Sequence, residues 1–147
     1  MRYKHAENYV AMAMDVEVER ATGKIRVTKI VCAHDCGLIV NPDGLRNQVE
    51  GQILQTLSRT LHEEVTTDGK RVTSTDWLTY PLLRFPDAPT VQVALLDRPD
   101  QPSHGAGEAA CAPVAAAVAN AVFDATGIRL REVPFTAAKV KAALAIV

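Results

Sequence analysis

Alternating apolar and polar positions near the start of the chain predict two paired strands. Over residues 9–20, apolar side chains alternate with small or acidic ones, and this two-residue period is typical of a strand with one buried face. Residues 21–24 form a predicted turn because Gly23 can adopt positive φ at little cost. β-Branched residues resume over 25–32, so we expect the two segments to form an antiparallel hairpin.

A four-residue recurrence of apolar side chains predicts a long amphipathic helix after Asn41-Pro42-Asp43-Gly44. We expect Asp43 to cap this helix, because a carboxylate accepts hydrogen bonds from the free N–H groups of a first turn. The predicted buried stripe consists of Leu45, Val49, Ile53, Leu57 and Leu61, and Leu54 widens it.

Three glutamines, Gln48, Gln52 and Gln55, follow one flank of this helix at three- and four-residue spacing. Residues at this spacing are neighbours on a helix surface, so their amides could converge on a polar ligand. The competing interpretation is a solvated polar flank, which the spacing alone favours.

The rest of the chain predicts shorter elements. Asp68-Gly69 is typical of a hairpin turn, Gly127 is a helix stop and Thr136 is a helix cap. Strands are predicted over 63–65, 71–75, 91–96 and 129–133, and helices over 114–125, after Pro113, and 137–144. We therefore expect a single α+β domain over residues 1–147. Its mixed or antiparallel sheet would carry the long amphipathic helix and the alanine-rich helix.

Composition narrows the function classes. Apolar residues make up 48% of the 147 residues and charged residues 22%, which is typical of a globular domain. A formal net charge of −1 offers no attraction for nucleic-acid phosphates. No apolar run is long enough to span a membrane. The odd count of three cysteines does not indicate a disulfide framework and suits a reducing compartment.

Cys32, His34 and Cys36 would share one face of the second strand. Thiolates and imidazole are zinc ligands, but a structural zinc site needs four of them and no second Cys/His pair follows. We therefore interpret the cysteines as buried free thiols that pack as small hydrophobes, and we predict no metal ligands in this chain.

The stretch Gly105-Ala106-Gly107-Glu108 precedes the alanine-rich helix and delivers one carboxylate. Its glycines allow positive φ or a close approach of the backbone to a ligand. Glu108 could then act as a general base. A solvated loop acid or a charge that favours the following helix start is the simpler alternative.

An ordered series of short stretches resembles a known family. The series contains Asp35-Cys36-Gly37, Asn41-Pro42, Gln48-Val49-Glu50-Gly51, Glu63-Glu64, Tyr80-Pro81, Gly105-Ala106-Gly107-Glu108, Ala119-Asn120-Ala121 and Ala125-Thr126-Gly127. It resembles the closing portion of the molybdenum-binding subunit of the xanthine oxidase and aldehyde oxidase family. Residues 97–102 and 133–136 are most similar to the bacterial branch that contains isoquinoline oxidoreductase and nicotinate dehydrogenase.

The resemblance implies roles for the matching residues. Glu108 would be the base that deprotonates a hydroxyl on molybdenum during the oxidation of aldehydes or N-heteroaromatic compounds. Gln48, Gly105, Ala106 and Gly107 would contact the cofactor, molybdenum-molybdopterin cytosine dinucleotide. Departures occur at Thr56 and Ser58, where family members commonly have glycine.

The family's molybdenum subunit is several times longer than this chain, and its earlier portion supplies most of the cofactor pocket. The resemblance therefore implies that this chain alone is inactive. Its partners would be the upstream portion, an iron–sulfur subunit, in some cases a cytochrome, and a small-molecule substrate. The cytoplasm is favoured, and the periplasm stays open for the full enzyme. The alternative is a non-catalytic α+β module that docks onto the upstream portion or forms a homo-oligomer.

Overall fold

The computed structural model describes residues 1–5 and 8–146 and contains a four-stranded mixed sheet. The strands are β1 (Arg2–His5), β2 (Asn8–Glu19), β3 (Lys24–Asp35) and β4 (Thr90–Leu96), in the order β1-β2-β3-β4. β2 is antiparallel to both β1 and β3, whereas β4 runs parallel to β3. The parallel pair requires a crossover connection, and this connection includes the long helix.

The predicted hairpin is confirmed as β2 and β3. Met12 lies opposite Cys32 in the register, and both side chains are buried. Gly23 closes the turn with φ of +80°, and a side chain at this position would overlap the carbonyl of Ala137. The hairpin turn thus also holds the helix that begins at Ala137 close to the sheet.

The long amphipathic helix is confirmed as α1 (Pro42–Leu61), but its predicted cap is wrong. Asn41, not Asp43, is the N-cap, and its Oδ1 accepts from the Gly44 N–H at 2.9 Å. Pro42 occupies the first helical position, where its fixed φ suits the helix, so the capping position falls on the residue before it. Asp43 lies in the first turn, where its charge favours the helix dipole.

Two further helices complete the fold. They are α2 (Val114–Thr126), which ends at Gly127 with φ of 78°, and α3 (Ala137–Leu144), whose cap Thr136 accepts from the Lys139 N–H. α2 packs on β2 and α1, so the buried stripe of α1 and the valines of α2 share one core with the inner face of the sheet. The predicted α+β class is confirmed. No helix within residues 1–5 and 8–146 has the length and apolarity needed to cross a bilayer.

Three of the predicted short strands do not form. Residues 63–65 form no strand, and residues 71–75 contribute only Val72, which forms an isolated bridge with Thr67, because this hairpin has no third strand or helix against which to pack. Residues 129–133 follow α2 instead of joining the sheet. There the Arg129 guanidinium lies 3.7 Å from the centroid of the Phe123 ring and donates to Asn120.

Candidate functional site

The connection over residues 97–104 brings the glycine pair to the carboxyl end of β3. The Arg98 N–H donates to the Gly37 carbonyl at 3.1 Å, and the His104 N–H donates to the Cys36 carbonyl at 2.9 Å. The Asp35 carboxylate accepts from Arg98 Nε at 2.9 Å and from the Gly37 N–H at 3.0 Å. These bonds place residue 104, and hence the next four residues, beside the sheet.

Three successive carbonyl groups of the loop Gly105–Glu108 are each held by a side-chain amide. Asn8 Nδ2 donates to the Gly105 carbonyl at 2.9 Å, Gln52 Nε2 to the Ala106 carbonyl at 2.6 Å, and Gln48 Nε2 to the Gly107 carbonyl at 3.0 Å. Gln48 and Gln52 therefore converge on the loop of their own chain, whereas Gln55 does not. For Gln52, which is 5% exposed, the interpretation as a solvated flank is wrong.

Gln52 holds the chain on both sides of Glu108. Its Oε1 accepts from the Ala110 N–H at 2.8 Å while its Nε2 bonds Ala106. The Gln52 amide thus fixes the backbone two residues before Glu108, through its N–H, and two residues after it, through its oxygen. Gln52 was recognised in the sequence only as one of three spaced glutamines, and nothing in the pattern of β2 indicated Asn8.

The N–H groups of the loop Gly105–Glu108 point away from the amides that bond its carbonyls. In a trans peptide the C=O of one residue and the N–H of the next point in opposite directions. The bonded carbonyls of Gly105, Ala106 and Gly107 therefore direct the N–H groups of Ala106, Gly107 and Glu108 away from the three amides. None of these N–H groups has a hydrogen-bond partner within the described part of the chain.

The two glycines of the loop face open space. Neither Gly105 nor Gly107 has positive φ, so of the two alternatives for these glycines, positive φ or a close approach of the backbone to a ligand, only the second stays open. A Cβ atom built on either would meet nothing within 4 Å. The packing of residues 1–5 and 8–146 thus does not require glycine at either position. A close approach of another group to this backbone would require it.

Glu108 is exposed, and its carboxylate has no hydrogen-bond or ion-pair partner among the residues described. It lies in an open cleft of about 800 Å³ with Gln48, Gln55, Arg59, Gly107 and Cys111. Gly51 of α1 also lines this cleft, and a Cβ there would contact nothing within 4 Å. The cleft therefore combines a free carboxylate, a cation, two exposed amides and bare backbone.

The Cys32, His34 and Cys36 side chains are buried, as expected for thiols that pack as small hydrophobes. Burial raises the pKa of Cys32 to about 11 and also raises the pKa of Cys36, with smaller contributions from Asp35 and Asp97. Burial lowers the pKa of His34, against the opposing charge of Asp35. Among the residues described, no three His, Cys, Asp or Glu side chains are grouped to hold a metal ion.

Comparison with known proteins identifies a common family. A model of the molybdopterin cofactor-binding domain matches residues 2–89, a range that contains Gln48 and Gln52 and ends before Gly105. One of the subunits of nicotinate dehydrogenase from Pseudomonas putida is 48% identical over 136 residues, which is 92% of this chain and 12% of that protein. The beta chain of isoquinoline 1-oxidoreductase from Brevundimonas diminuta is 31% identical over 130 residues, 88% of this chain and 16% of that protein.

The fold has a counterpart in a solved structure. Quinoline 2-oxidoreductase from Pseudomonas putida 86 superposes with a TM-score of 0.85 at 28% identity, over 94% of this chain and 19% of that one. This chain therefore spans less than a fifth of the length of these relatives. The family resemblance found in the sequence is confirmed: the chain belongs to the molybdopterin cofactor-binding domain family, and the relatives compared here are oxidoreductases.

Proposed function

We propose that this chain is the catalytic-base and cofactor-contacting segment of a molybdenum hydroxylase that oxidises aldehydes or N-heteroaromatic compounds. The observation that carries this proposal is the fixed loop Gly105–Glu108, whose first three carbonyls are bonded to side-chain amides while its N–H groups from Ala106 onwards and its carboxylate are free. Such an arrangement provides donors and a proton acceptor without the cost of reorganising the backbone.

The residues present fit the cofactor. A flat, oxygen-rich group needs hydrogen-bond donors, and the N–H groups of Ala106, Gly107 and Glu108 supply them beside glycines that leave room for it. Gln48 keeps its Oε1 free of any partner in the described chain while its Nε2 bonds Gly107, so it can still accept from a pterin N–H. We propose the molybdopterin cytosine dinucleotide form, which release of CMP on acid hydrolysis of the enzyme would test.

The cofactor, when bound, supplies the two-electron oxidation of the substrate. The contribution of this chain is proton transfer and orientation. The Glu108 carboxylate accepts the proton of a water-derived hydroxyl while the oxygen of that hydroxyl bonds the electron-poor substrate carbon. The C–H bond of that carbon breaks, and its hydrogen leaves as hydride in the two-electron oxidation. The amides of Gln48 and Gln52 hold the backbone from which this carboxylate extends, so the main chain at Glu108 stays at one position.

Substitution of Glu108 in the assembled enzyme tests this role. We expect Glu108→Gln to lower kcat by about 10²- to 10⁴-fold, since the amide cannot accept the proton. Molybdenum content and thermal stability should stay unchanged because the side chain has no partner here. Asp124→Asn removes the same charge from an exposed site on α2 and should leave kcat unchanged. Substrate oxidation that survives Glu108→Gln would refute the assignment.

Substitution of the glycines tests cofactor contact without measuring activity. A methyl group at Gly105 or Gly107 meets only open space in this chain, so each alanine variant should fold with unchanged stability. If the cofactor lies against this backbone, the same variants should retain less molybdenum in the assembled enzyme. Full molybdenum content in both variants would place the cofactor elsewhere.

A second candidate, a docking or oligomerising module without chemistry of its own, is favoured by one surface. Trp77, Leu78 and Phe85 are 67%, 90% and 95% exposed, and Trp77 and Phe85 line a cleft of about 590 Å³. Exposed apolar surface of this kind marks interaction sites. We propose the remainder of the molybdenum subunit as its partner, within an enzyme that also contains an iron–sulfur subunit and, in some members, a cytochrome.

Light scattering tests the docking surface. The chain alone should associate through this surface or bind the coexpressed remainder of the subunit, and it should hold no molybdenum by itself. The combined substitutions Trp77→Ser, Leu78→Ser and Phe85→Ser should abolish the association, whereas Glu108→Gln should not. A wild-type chain that is a monodisperse monomer and does not bind the remainder would count against the docking surface.

A further inference from the structure

A buried polar pair lies behind the loop Gly105–Glu108. Asn8 at the start of β2 is 3% exposed, and His34 near the end of β3 is fully buried. His34 Nε2 lies 3.3 Å from Asn8 Oδ1, and Asn8 Nδ2 donates to the Gly105 carbonyl at 2.9 Å. A continuous chain of hydrogen bonds thus runs from the interior of the sheet to the first carbonyl of the loop.

The chemistry of the pair fixes its direction. An amide oxygen can only accept, so the proton of the neutral imidazole lies on Nε2 and is donated to Asn8. Burial, which lowers the pKa of His34, favours this neutral form. With its oxygen bound to His34, Asn8 must turn its NH₂ group towards Gly105.

Burying the Asn8–His34 pair in this part of the core lowers the stability of the fold. His34 Nδ1 is buried and has no partner within the described chain, and an unsatisfied buried polar atom is destabilising. An apolar pair of the same size would avoid this cost. Packing alone therefore does not explain the pair, whereas control of the Gly105 peptide does.

We propose that Asn8 and His34 are positioning residues. They orient the Gly105 carbonyl and thereby direct the Ala106 N–H, on the opposite side of the same trans peptide, towards a hydrogen-bond acceptor of the bound ligand. The role of the loop as a ligand contact rests on the proposed function, whereas the orientation of the peptide does not.

The sequence allows this peptide to be observed by itself. Gly105-Ala106 is the sole Gly-Ala dipeptide in the chain. Protein labelled with carbonyl-¹³C glycine and ¹⁵N alanine therefore gives a single carbonyl-to-nitrogen correlation in an NMR spectrum. Its carbonyl shift reports the hydrogen bond from Asn8, and its nitrogen shift reports the Ala106 N–H.

We expect Asn8→Leu and His34→Leu to move this signal, and His34→Gln, which retains a side-chain N–H donor, to restore it towards the wild-type position. Thr60→Val is the matched control. It removes a buried hydroxyl bonded to the Thr56 carbonyl within α1, so it loses one buried hydrogen bond without touching the loop, and its signal should not move.

His34→Leu keeps the test decisive if Asn8→Leu fails to fold, because the removal of the unpaired Nδ1 offsets the loss of the hydrogen bond to Asn8 Oδ1. A signal at the wild-type position in folded His34→Leu overturns the proposal. In the assembled enzyme we expect both leucine variants to lower kcat by about 10- to 100-fold through misplacement of the loop, with recovery in His34→Gln.

The two readouts separate this inference from the proposed function. A moved signal together with lowered kcat and recovery in His34→Gln supports the proposal. A moved signal with unchanged molybdenum content and unchanged kcat overturns the ligand role of the Ala106 N–H. Activity that survives Glu108→Gln refutes the proposed base, and the NMR result is independent of that outcome.

Discussion

Gln52→Leu is the substitution expected to release the loop from α1. It removes the amide that donates to the Ala106 carbonyl at 2.6 Å and accepts from the Ala110 N–H at 2.8 Å. Leucine has nearly the same size and suits a helix, so the change isolates the hydrogen bonds from helix propensity. The variant should fold, but with a lower free energy of unfolding.

The two lost bonds differ in cost. Ala106 is partly exposed, so water can replace the donor to its carbonyl, and that loss costs about 1 kcal/mol. Ala110 is fully buried, so its N–H loses its partner without replacement, at a cost of about 1–3 kcal/mol. The added apolar burial of leucine recovers about 1 kcal/mol. The net destabilisation is about 2 kcal/mol, and the unpaired Ala110 N–H accounts for most of it.

Urea unfolding followed by circular dichroism measures this loss. The midpoint should fall by about 1 M with an unchanged slope, given typical slopes of about 1–3 kcal/mol per M. Gln55→Leu is the matched control on the same helix, because the Gln55 side chain is exposed and has no hydrogen bond among the described residues. This variant should change stability by less than about 0.5 kcal/mol. Equal midpoints for Gln52→Leu and Gln55→Leu would refute the assignment of Gln52 as the tie between α1 and the loop.

Three other measurements probe the frame of the site. Gly37→Ala should destabilise the fold more than Gly69→Ala, because both positions have positive φ, worth about 1–2 kcal/mol, but only at Gly37 would a methyl group overlap the Pro102 carbonyl; equal urea midpoints would contradict this. The pKa of His34 is lowered in the folded chain, so below about pH 6.5 the unfolded chain binds more protons than the folded chain. The free energy of unfolding should therefore fall as the pH drops from about 6.5 towards the folded-state pKa of His34, by at most about 1.4 kcal/mol per pH unit. His34→Gln should flatten this pH dependence of stability. An unchanged pH dependence in the variant would contradict its assignment to His34. A thiol reagent should modify Cys111 rapidly, and the buried Cys32 and Cys36 only after unfolding. Rapid modification of a second thiol in the native protein would contradict this and would show that the end of β3 opens.

Local patterns were sufficient where one element determines its own structure. The two-residue alternation over 9–20 and the four-residue recurrence in α1 follow from a single buried face, so the hairpin and the helix were predicted from residue order. The strand predictions failed where the structure of a segment depends on a packing partner elsewhere in the chain. Residues 71–75 have strand composition, but a strand forms only when another strand or helix covers it, and that partner is absent from the described fold.

The sequence by itself determined the α+β class, the family and the candidate stretch Gly105–Glu108, because each depends on residue types in a fixed order. The tertiary structure alone decided what holds that stretch. Asn8 and Gln52 reach it from positions 97 and 54 residues away along the chain, and no periodicity encodes such a pairing. Hydrogen bonds across that distance exist only after the sheet and α1 have packed, so the orientation of the loop, with its N–H groups and Glu108 directed outwards, is a property of the folded chain.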